Sequence, residues 1–424
     1  MSGLRLLFLI PGAADMRCGA CTRDVHLVFA LRHLGHTVRV LPLYTPLRTD
    51  TDLGEDRTVH LGAIGISLRQ ALPFAAGLPA WATRPLAARA LLGLLSRLGI
   101  ETEAASLGPL TQAMLAGRDG PMRIEIEALC AAIRTHERYD AVHLGNSLLA
   151  GLAPALKERL GVPVVCAVQG EDEFLAALPE PWRGQVLDHL RRAAQVIDVF
   201  IAPSASVAAV MAPLLGIEVA RIQVLRPGVP SAESPRQLSA GLLRLGYLSI
   251  IHPRKGLEVL AAAQVALSRR GIAPHLAIAG QVRKRNYWQT VRRELAASGA
   301  PWSYHGEPDG AGRTDFLRSC SMLALPTRSA EARAMVALES LAEGVPVLLS
   351  RRGVCPEIVA LTGGGLIVET DDPEEWAEVI AGLMADAPRL ATLGQAGWEG
   401  VRKYFSPETM AREMAEMFKT GCRL

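Results

Sequence analysis

A chain of 424 residues, half of them apolar, can bury two hydrophobic cores, and at roughly 100–200 residues per domain it reads as two domains. Its 45 basic and 42 acidic side chains nearly cancel without long runs of one sign, so charge makes no case for nucleic acid or an anionic membrane surface as partner. No apolar run approaches the ~18 residues of a membrane span, and seven cysteines, an odd number thinly spread, form no disulfide framework and point to a reducing cytoplasm.

The opening MSGLRLLFLIPGAA has the outline of a signal peptide, but a buried strand at Leu6–Ile10 followed by a Pro-Gly turn explains it more simply. The next loop holds Cys18-Gly-Ala-Cys21-Thr-Arg-Asp24, a spacing open to a redox dithiol, half of a metal site, or no chemistry at all. Arg23–Leu34 then reads as a helix stopped by Gly35, and Thr37–Leu43 as a strand. From about Ile66 to Arg134 the pattern changes to apolar helices, including Pro85–Leu98 with Arg89 and Arg97. This insertion is either a cap packed on the sheet or a lid for an apolar acceptor. Ala141–Leu144, Pro163–Val168 and Val199–Ala202 are β-branched strands, each followed by a loop and a helical pattern, which implies a mostly parallel, doubly wound sheet. His33 and His36 read as surface or capping groups, His143 as either a core histidine or a contact to a ligand, and Asn146-Ser147 as pointing toward a ligand.

The polar, proline-bearing run Val229–Ala240 reads as a linker. Alternation then restarts with Leu243–Leu248, a helix from Leu257, His275–Ala279, a helix from Tyr287, Trp302–His305 and Met322–Leu325. A helix at Ala334–Glu343 and a strand at Val345–Leu349 follow. The last helix opens at Ser406-Pro407-Glu408, with serine as N-cap and proline at its first position. The expected architecture is therefore α/β, with two Rossmann-like doubly wound domains facing an interdomain cleft. Residues 1–228 form the acceptor-side domain with the helical insertion at about 66–134, 229–242 the linker, and 243–405 the second domain. Residues 406–424 form a helix packing back toward the first domain.

Doubly wound sheets bind ligands beyond the carboxyl ends of their strands, so the loops there carry the function. The first, Pro11–Thr22, offers amides that can approach a phosphate, but Gly12 and Gly19 stand seven apart and make no dinucleotide fingerprint. The richest constellation is Leu325-Pro-Thr327, Glu331-Ala-Arg-Ala-Met-Val-Ala-Leu-Glu339 and Gly344-Val-Pro-Val347. Amides around Arg333 to Val336 open a helix, an anion site by geometry and dipole. Glutamates beside it repel a bare phosphate but suit a ligand that also carries hydroxyls, as a nucleoside-diphosphate sugar does. His252-Pro-Arg-Lys-Gly256 adds Lys255 at a helix start, where a lysine holds phosphate as a point charge; an ordinary surface turn is the plainer alternative.

Together these runs resemble the donor-site signature of the retaining family-4 glycosyltransferases of GT-B fold. Pro326-Thr, Glu331, Glu339-Ser-Leu-Ala-Glu-Gly344-Val-Pro-Val and Gly353-Val-Cys-Pro-Glu357 carry the likeness, and Pro253-Arg-Lys-Gly256 resembles the family's phosphate-binding Pro-Glu-Lys-Gly. Cys18-x-x-Cys21-x-Arg-Asp and Gln169-Gly-Glu-Asp172 resemble a little-characterised bacterial subgroup. The likeness covers nearly the whole chain and is weakest in the insertion. It implies transfer of a sugar from a nucleoside-diphosphate sugar, a co-substrate rather than a cofactor, with retention and without a bound metal. By the same resemblance Lys255 holds the diphosphate, Glu331 meets the sugar hydroxyls, Gln169 stands beside the reacting sugar, and Glu339 takes the ribose. Gly12, Gly19, Arg254, Arg333, Ala334 and Met335 belong to the donor site, and loops near Gly280 and Gly306 to the base. Arg23, Asp24, Asn146, Glu171 and Asp172 fall on the acceptor side. The acceptor stays open among carbohydrate, lipid-linked and small-molecule classes, with cytoplasmic placement and peripheral membrane contact compatible with any of them.

Three positions depart from that family's pattern: Ile250 where a second cation is usual, Ala334 where glycine is usual, and Gln169 where histidine is common. Losing one of two cations at a developing dianion costs about 2–4 kcal/mol by analogy with losing an oxyanion donor, so a degenerate protein that binds a nucleotide sugar or a partner without turnover is the rival expectation. A structural zinc needs four ligands and no second Cys/His pair is suitably spaced, so Cys18 and Cys21 are read as shaping their loop.

Overall fold

The computed structural model describes residues 3–11, 19–43, 104–133, 138–237 and 243–421. Gly12, Cys18 and the segment Pro85–Leu98 lie outside them. The chain divides into two compact units, Met1–Leu225 with Ala411–Leu424, and Arg226–Met410.

The first unit holds strands β1 (Arg5–Ile10), β2 (Thr37–Pro42), β3 (Ala141–Leu144), β4 (Val164–Ala167), β5 (Val199–Ala202) and β6 (Ile222–Val224). All pair in parallel in the order β2-β1-β3-β4-β5-β6. β3, β4 and β5 are buried along their whole length, which is why they read as unbroken Val/Ile/Ala runs rather than alternations. Its helices are α1 (Gly19–His33), α2 (Ala104–Ala116), α3 (Arg123–Ala132), α4 (Ala153–Leu160), α5 (Asp172–Ala177), α6 (Trp182–Ala194) and α7 (Ala205–Leu215). α1 starts at Gly19, a turn earlier than the Arg23 start that the sequence predicts, and buries two charged side chains, Arg23 at 2% and Asp24 at 1% exposed.

In the second unit β7 (Arg244–Leu248), β8 (His275–Ala279), β9 (Trp302–Tyr304), β10 (Met322–Leu325), β11 (Val347–Ser350) and β12 (Gly365–Val368) form a parallel sheet in the order β12-β11-β10-β7-β8-β9. Its helices are α8 (Leu257–Arg269), α9 (Arg285–Ser298), α10 (Gly310–Ser319), α11 (Met335–Ala342), α12 (Cys355–Thr362), α13 (Pro373–Met384) and α14 (Ala387–Tyr404). α15 (Pro407–Gly421) follows, capped by Ser406 Oγ, which accepts from the Thr409 amide at 3.1 Å. Neighbouring strand residues feed opposite faces, as a period of two requires. Tyr247 and Leu348 join one core with Leu260 and Trp376, while Leu248 and Leu349 join the other with Leu338 and Phe405. Both units are doubly wound, Rossmann-like α/β domains, as the sequence predicts.

The predicted linker is irregular but not slack. The amides of Val229, Ala232 and Arg236 donate to the carbonyls of Phe405 (2.8 Å), Ala342 (3.1 Å) and Glu343 (2.9 Å), and Trp398 Nε1 donates to the Ala232 carbonyl at 2.9 Å. These bonds fasten it to the second unit.

Candidate active site

In the second sheet the strand order reverses between β7 and β10, so their carboxyl ends leave a crevice. Leu248, Ser249, Lys255, Leu325, Thr327, Glu331, Ala334, Met335, Val336 and Cys355 line a pocket there of about 450 Å³, its open mouth included.

Lys255 is set by a short turn. His252 caps Pro253–Lys255 by accepting the Arg254 amide on Nδ1 at 3.2 Å, and Gly256 follows at φ +69°. A Cβ on Gly256 would lie 1.8 Å from the Pro326 carbonyl oxygen, so only glycine lets the turn touch the loop after β10. The Arg328 amide donates to the Arg254 carbonyl at 2.9 Å, and the buried Tyr247 hydroxyl lies 3.3 Å from the Lys255 carbonyl. Lys255 Nζ reaches Glu331 Oε1 in an ion pair, and Thr327 Oγ1 stands 3.1 Å from the same oxygen. Glu331 is held from behind as well. Its carbonyl accepts the Val354 amide at 2.8 Å, and Gly353, at φ +58°, packs directly on its backbone.

α11 starts immediately beyond. Its N-cap, Ala334, has φ 46° and ψ 46°, the only non-glycine residue at positive φ among the described residues. A left-handed alanine costs roughly 1–2 kcal/mol. The Ala334 carbonyl accepts the amides of Ala337 and Leu338 at 2.9 and 3.2 Å, while the Met335 and Val336 amides have no acceptor within the helix. The pocket thus sets a lysine, a carboxylate and a helix start side by side. Cys355 Sγ closes its floor, 1% exposed, with burial pushing the thiol up to about 12.

Other sequence-predicted donor residues lie elsewhere in this unit. Glu339 sits only one turn into α11, ion-paired with Arg313 of α10, and does not line the pocket. Gly280 and Gly306 are joined by a 2.6 Å amide-to-carbonyl bond, and a Cβ on Gly280 would meet the Ser249 carbonyl at 1.8 Å, so their loops abut the pocket rim. Arg254, Arg333 and the 42% exposed Ile250 are also outside the lining. Thr327, Gly353, Gly256 and Cys355 are the residues that sequence reasoning left without a role.

In the first unit the order reverses between β1 and β3, and the polar residues predicted for the acceptor side collect there. Arg23 Nη1 donates to Asp24 Oδ1 at 2.9 Å, and His143 Nε2 lies 4.0 Å from that oxygen. His143 is fully buried against Phe8, ring centroids 4.5 Å apart, and burial lowers its pKa although Asp24 pulls the other way. Gln169 Nε2 donates to the Gly145 carbonyl. The Glu171 carboxylate accepts the Ser147 amide on Oε1 at 3.0 Å and the Gln169 amide on Oε2 at 2.7 Å. Asp172 opens α5, Asn146 is half-buried, and Gly19 is the first residue of α1. Ser147 corrects the expectation that it faces a ligand, since it is fully buried where its loop tucks under Glu171.

Residues 114–233 match the family model described as Glycosyltransferase Family 4, and residues 242–386 the model described as Glycosyl transferases group 1. The chain therefore carries two parallel-sheet α/β domains, each matched by a glycosyltransferase family model, in a fold shared with GT-B glycosyltransferases. Among curated relatives, D-inositol 3-phosphate glycosyltransferase of Segniliparus rotundus is 26% identical over 310 residues, covering 68% of this chain and 67% of the relative. The GDP-mannose-dependent alpha-(1-6)-phosphatidylinositol monomannoside mannosyltransferase of Mycobacterium tuberculosis is 27% identical over 292 residues, 64% of this chain and 73% of the relative. Among solved structures, sucrose-phosphate synthase of Thermosynechococcus elongatus superposes with TM-score 0.69 at 18% identity, covering 98% of each chain. Anabaena Alr3699/HepE in complex with UDP and glucose does so with TM-score 0.63 at 14% identity, covering 98% of this chain and 100% of the other.

For a glycosyltransferase the unit-2 pocket has a coherent chemistry. Lys255 and the α11 amides complement an anion, Glu331 and Thr327 complement hydroxyls, and the apolar floor of Leu248, Leu325 and Cys355 limits water around both.

Proposed function

We propose that this chain transfers a sugar from a nucleoside-diphosphate sugar to a hydroxyl acceptor with retention of configuration. The observation that carries the reading is the pocket at the β7/β10 switch point, where Lys255, Glu331 and the start of α11 converge. In this reading Lys255 and the Met335 and Val336 amides take the diphosphate, with Arg254 and Arg333 approaching from the rim. Glu331 orients the sugar hydroxyls, Glu339 takes the ribose from its pair with Arg313, and the Gly280 and Gly306 loops take the base. The glycosidic C–O bond breaks toward the diphosphate, whose leaving oxygen accepts the proton of the acceptor hydroxyl attacking on the same face. Charge stabilisation at that oxygen is then worth about 2–4 kcal/mol per well-placed donor, so this chain's own groups replace a metal in the reading. Gln169, Arg23, Asp24, Asn146, Glu171 and Asp172 form the acceptor side, with Gly12 and Gly19 flanking the loop after β1 and Cys18 and Cys21 shaping it. Among the described residues no helix is long and apolar enough to cross a membrane; cytoplasmic placement and a carbohydrate, small-molecule or lipid-linked acceptor complete the proposal.

The test is release of nucleoside diphosphate from UDP-, GDP- and ADP-sugars. Turnover with one base, lost in Glu331→Ala and far less affected in Glu357→Ala, is the expected result. Folded protein that neither binds nor turns over any donor would overturn the reading, and binding without turnover would leave a nucleotide-sugar-binding protein in its place.

A further inference from the structure

The pocket's lysine is engaged by a residue of the same pocket. Lys255 Nζ is paired with Glu331 Oε1, and both side chains are only 23% exposed. Glu331 Oε1 lies within 3.1 Å of the Thr327 hydroxyl. The Lys255 turn is locked to the Pro326 carbonyl through Gly256, and the Glu331 backbone is fixed by Val354 and Gly353. The two charges are therefore anchored facing each other, and the pocket as it stands is close to neutral.

A bare diphosphate entering this pocket has to draw Lys255 away from Glu331, and in doing so it leaves a half-buried carboxylate unpaired beside its own negative charge. That arrangement is unfavourable twice, by lost pairing and by like-charge approach. A ligand that brings hydroxyl groups along with the diphosphate repairs the loss, because a carboxylate released from a lysine accepts hydroxyl hydrogen bonds well. We infer that the Lys255–Glu331 pair is an exchange gate that makes the pocket select the intact sugar donor over the nucleoside diphosphate it becomes. The gate rests on the donor-site reading above and adds to it a discrimination against product. Once the sugar has left, Glu331 loses its hydroxyl partners and competes for Lys255 again, which expels the diphosphate.

The inference makes an uncommon demand on a binding-site mutation: removing a residue that touches the ligand must tighten one ligand without tightening another. Glu331→Gln keeps the shape and the backbone anchors, frees Lys255 and removes the repulsion. Binding of UDP, GDP and ADP, and of their glucose and mannose conjugates, is measured by calorimetry for the parent and the variant. The expected result is roughly fivefold or greater tightening for the bare diphosphate of the preferred base, the change that about 1 kcal/mol of released pairing produces. The conjugate should bind no tighter than to the parent. In a double-mutant cycle Lys255→Ala should then cost more diphosphate affinity in the Glu331→Gln background than in the parent. Thermal melting reports folding, and Glu331→Asp, which shortens the reach to Lys255, serves as the second variant and should shift diphosphate affinity the same way. Diphosphate binding unchanged or weakened in both folded variants overturns the gate while leaving the donor site standing. A parent protein that binds no diphosphate and no conjugate overturns the donor-site reading itself.

Discussion

Gly353 does not line the pocket, yet its replacement by alanine should disable the site. Its φ is +58°, and an added Cβ would stand 2.2 Å from the Glu331 carbonyl oxygen, 2.5 Å from its nitrogen and 2.8 Å from its carbonyl carbon. The left-handed alanine alone costs about 1–2 kcal/mol. The contact is about 1 Å or more inside van der Waals distance and its target is backbone, so no side-chain rotation relieves it; overpacking of this kind costs about 1–3 kcal/mol. Relief comes from moving the Glu331 segment by about 1 Å, which displaces its carboxylate from Lys255 and Thr327; misplacement on that scale costs about 10²-fold in rate. Gly353→Ala should therefore lower kcat/KM by about 10² in the nucleotide-release assay, with a melting temperature depressed by several degrees. Gly382→Ala in α13 is the control, because a Cβ there meets nothing within 4 Å and helix propensity gains about 1 kcal/mol. A Gly353→Ala enzyme within threefold of the parent, in a protein where Glu331→Ala is inactive, would refute the claim that this glycine holds Glu331 in place.

Three further outcomes are expected. Ala334→Gly releases about 1–2 kcal/mol of left-handed strain but gives up about 0.5–1 kcal/mol in chain entropy and a buried methyl, so urea unfolding should move by no more than about 1 kcal/mol; a loss beyond 2 would show that the alanine is not strained. Burial holds the His143 pKa below 6.5, so below that pH the unfolded chain binds a proton that the native chain does not. Stability should accordingly fall as pH drops from 7.5 to 5, and His143→Phe should flatten that fall; an equally steep fall in the variant would assign it to other groups. Cys130, Cys166, Cys320 and Cys355 are all buried, and burial raises each thiol's pKa, so iodoacetamide at pH 7.5 should leave them unlabelled in the folded protein, read by mass spectrometry of their peptides.

The strands were legible because parallel strands covered on both faces write themselves as apolar runs. Ala141–Leu144, Val199–Ala202, His275–Ala279 and Met322–Leu325 are found as the sequence predicts them. β6 and β12 were not, since three residues in one case and a glycine-flanked start in the other leave no run to see. α1 was read from Arg23 and missed its first turn, because Gly19-Ala-Cys-Thr22 carries no apolar periodicity; the pairing that lets Arg23 and Asp24 be buried was equally invisible. Within the pocket, Lys255, Glu331, Ala334 and Met335 could be found because each sits just past a strand end or at a helix start. Thr327, Gly353 and Cys355 stood in the quoted motifs without a role, because what they do depends on which backbone folds against them. Glu339 shows the same limit from the other side: its spacing was visible, but its partner Arg313 comes from a different helix.

The two switch points use buried polarity in opposite ways. In the first unit the Arg23–Asp24 pair, His143 and the Glu171 carboxylate are nine-tenths or more buried, and Glu171 spends both oxygens on backbone amides of two loops. Removing one partner from such a group leaves a stranded charge or amide at a cost of about 3–5 kcal/mol, so that knot is rigid, and its loops are held before any ligand arrives. In the second unit the corresponding charges are nearly a quarter exposed and meet each other rather than backbone. In the proposed reading their pairing is weak enough for a diphosphate and a sugar to replace it. Burial depth decides between the two behaviours: the same kinds of residue brace a loop when sealed under the strands and become exchangeable ligands when left at the pocket wall.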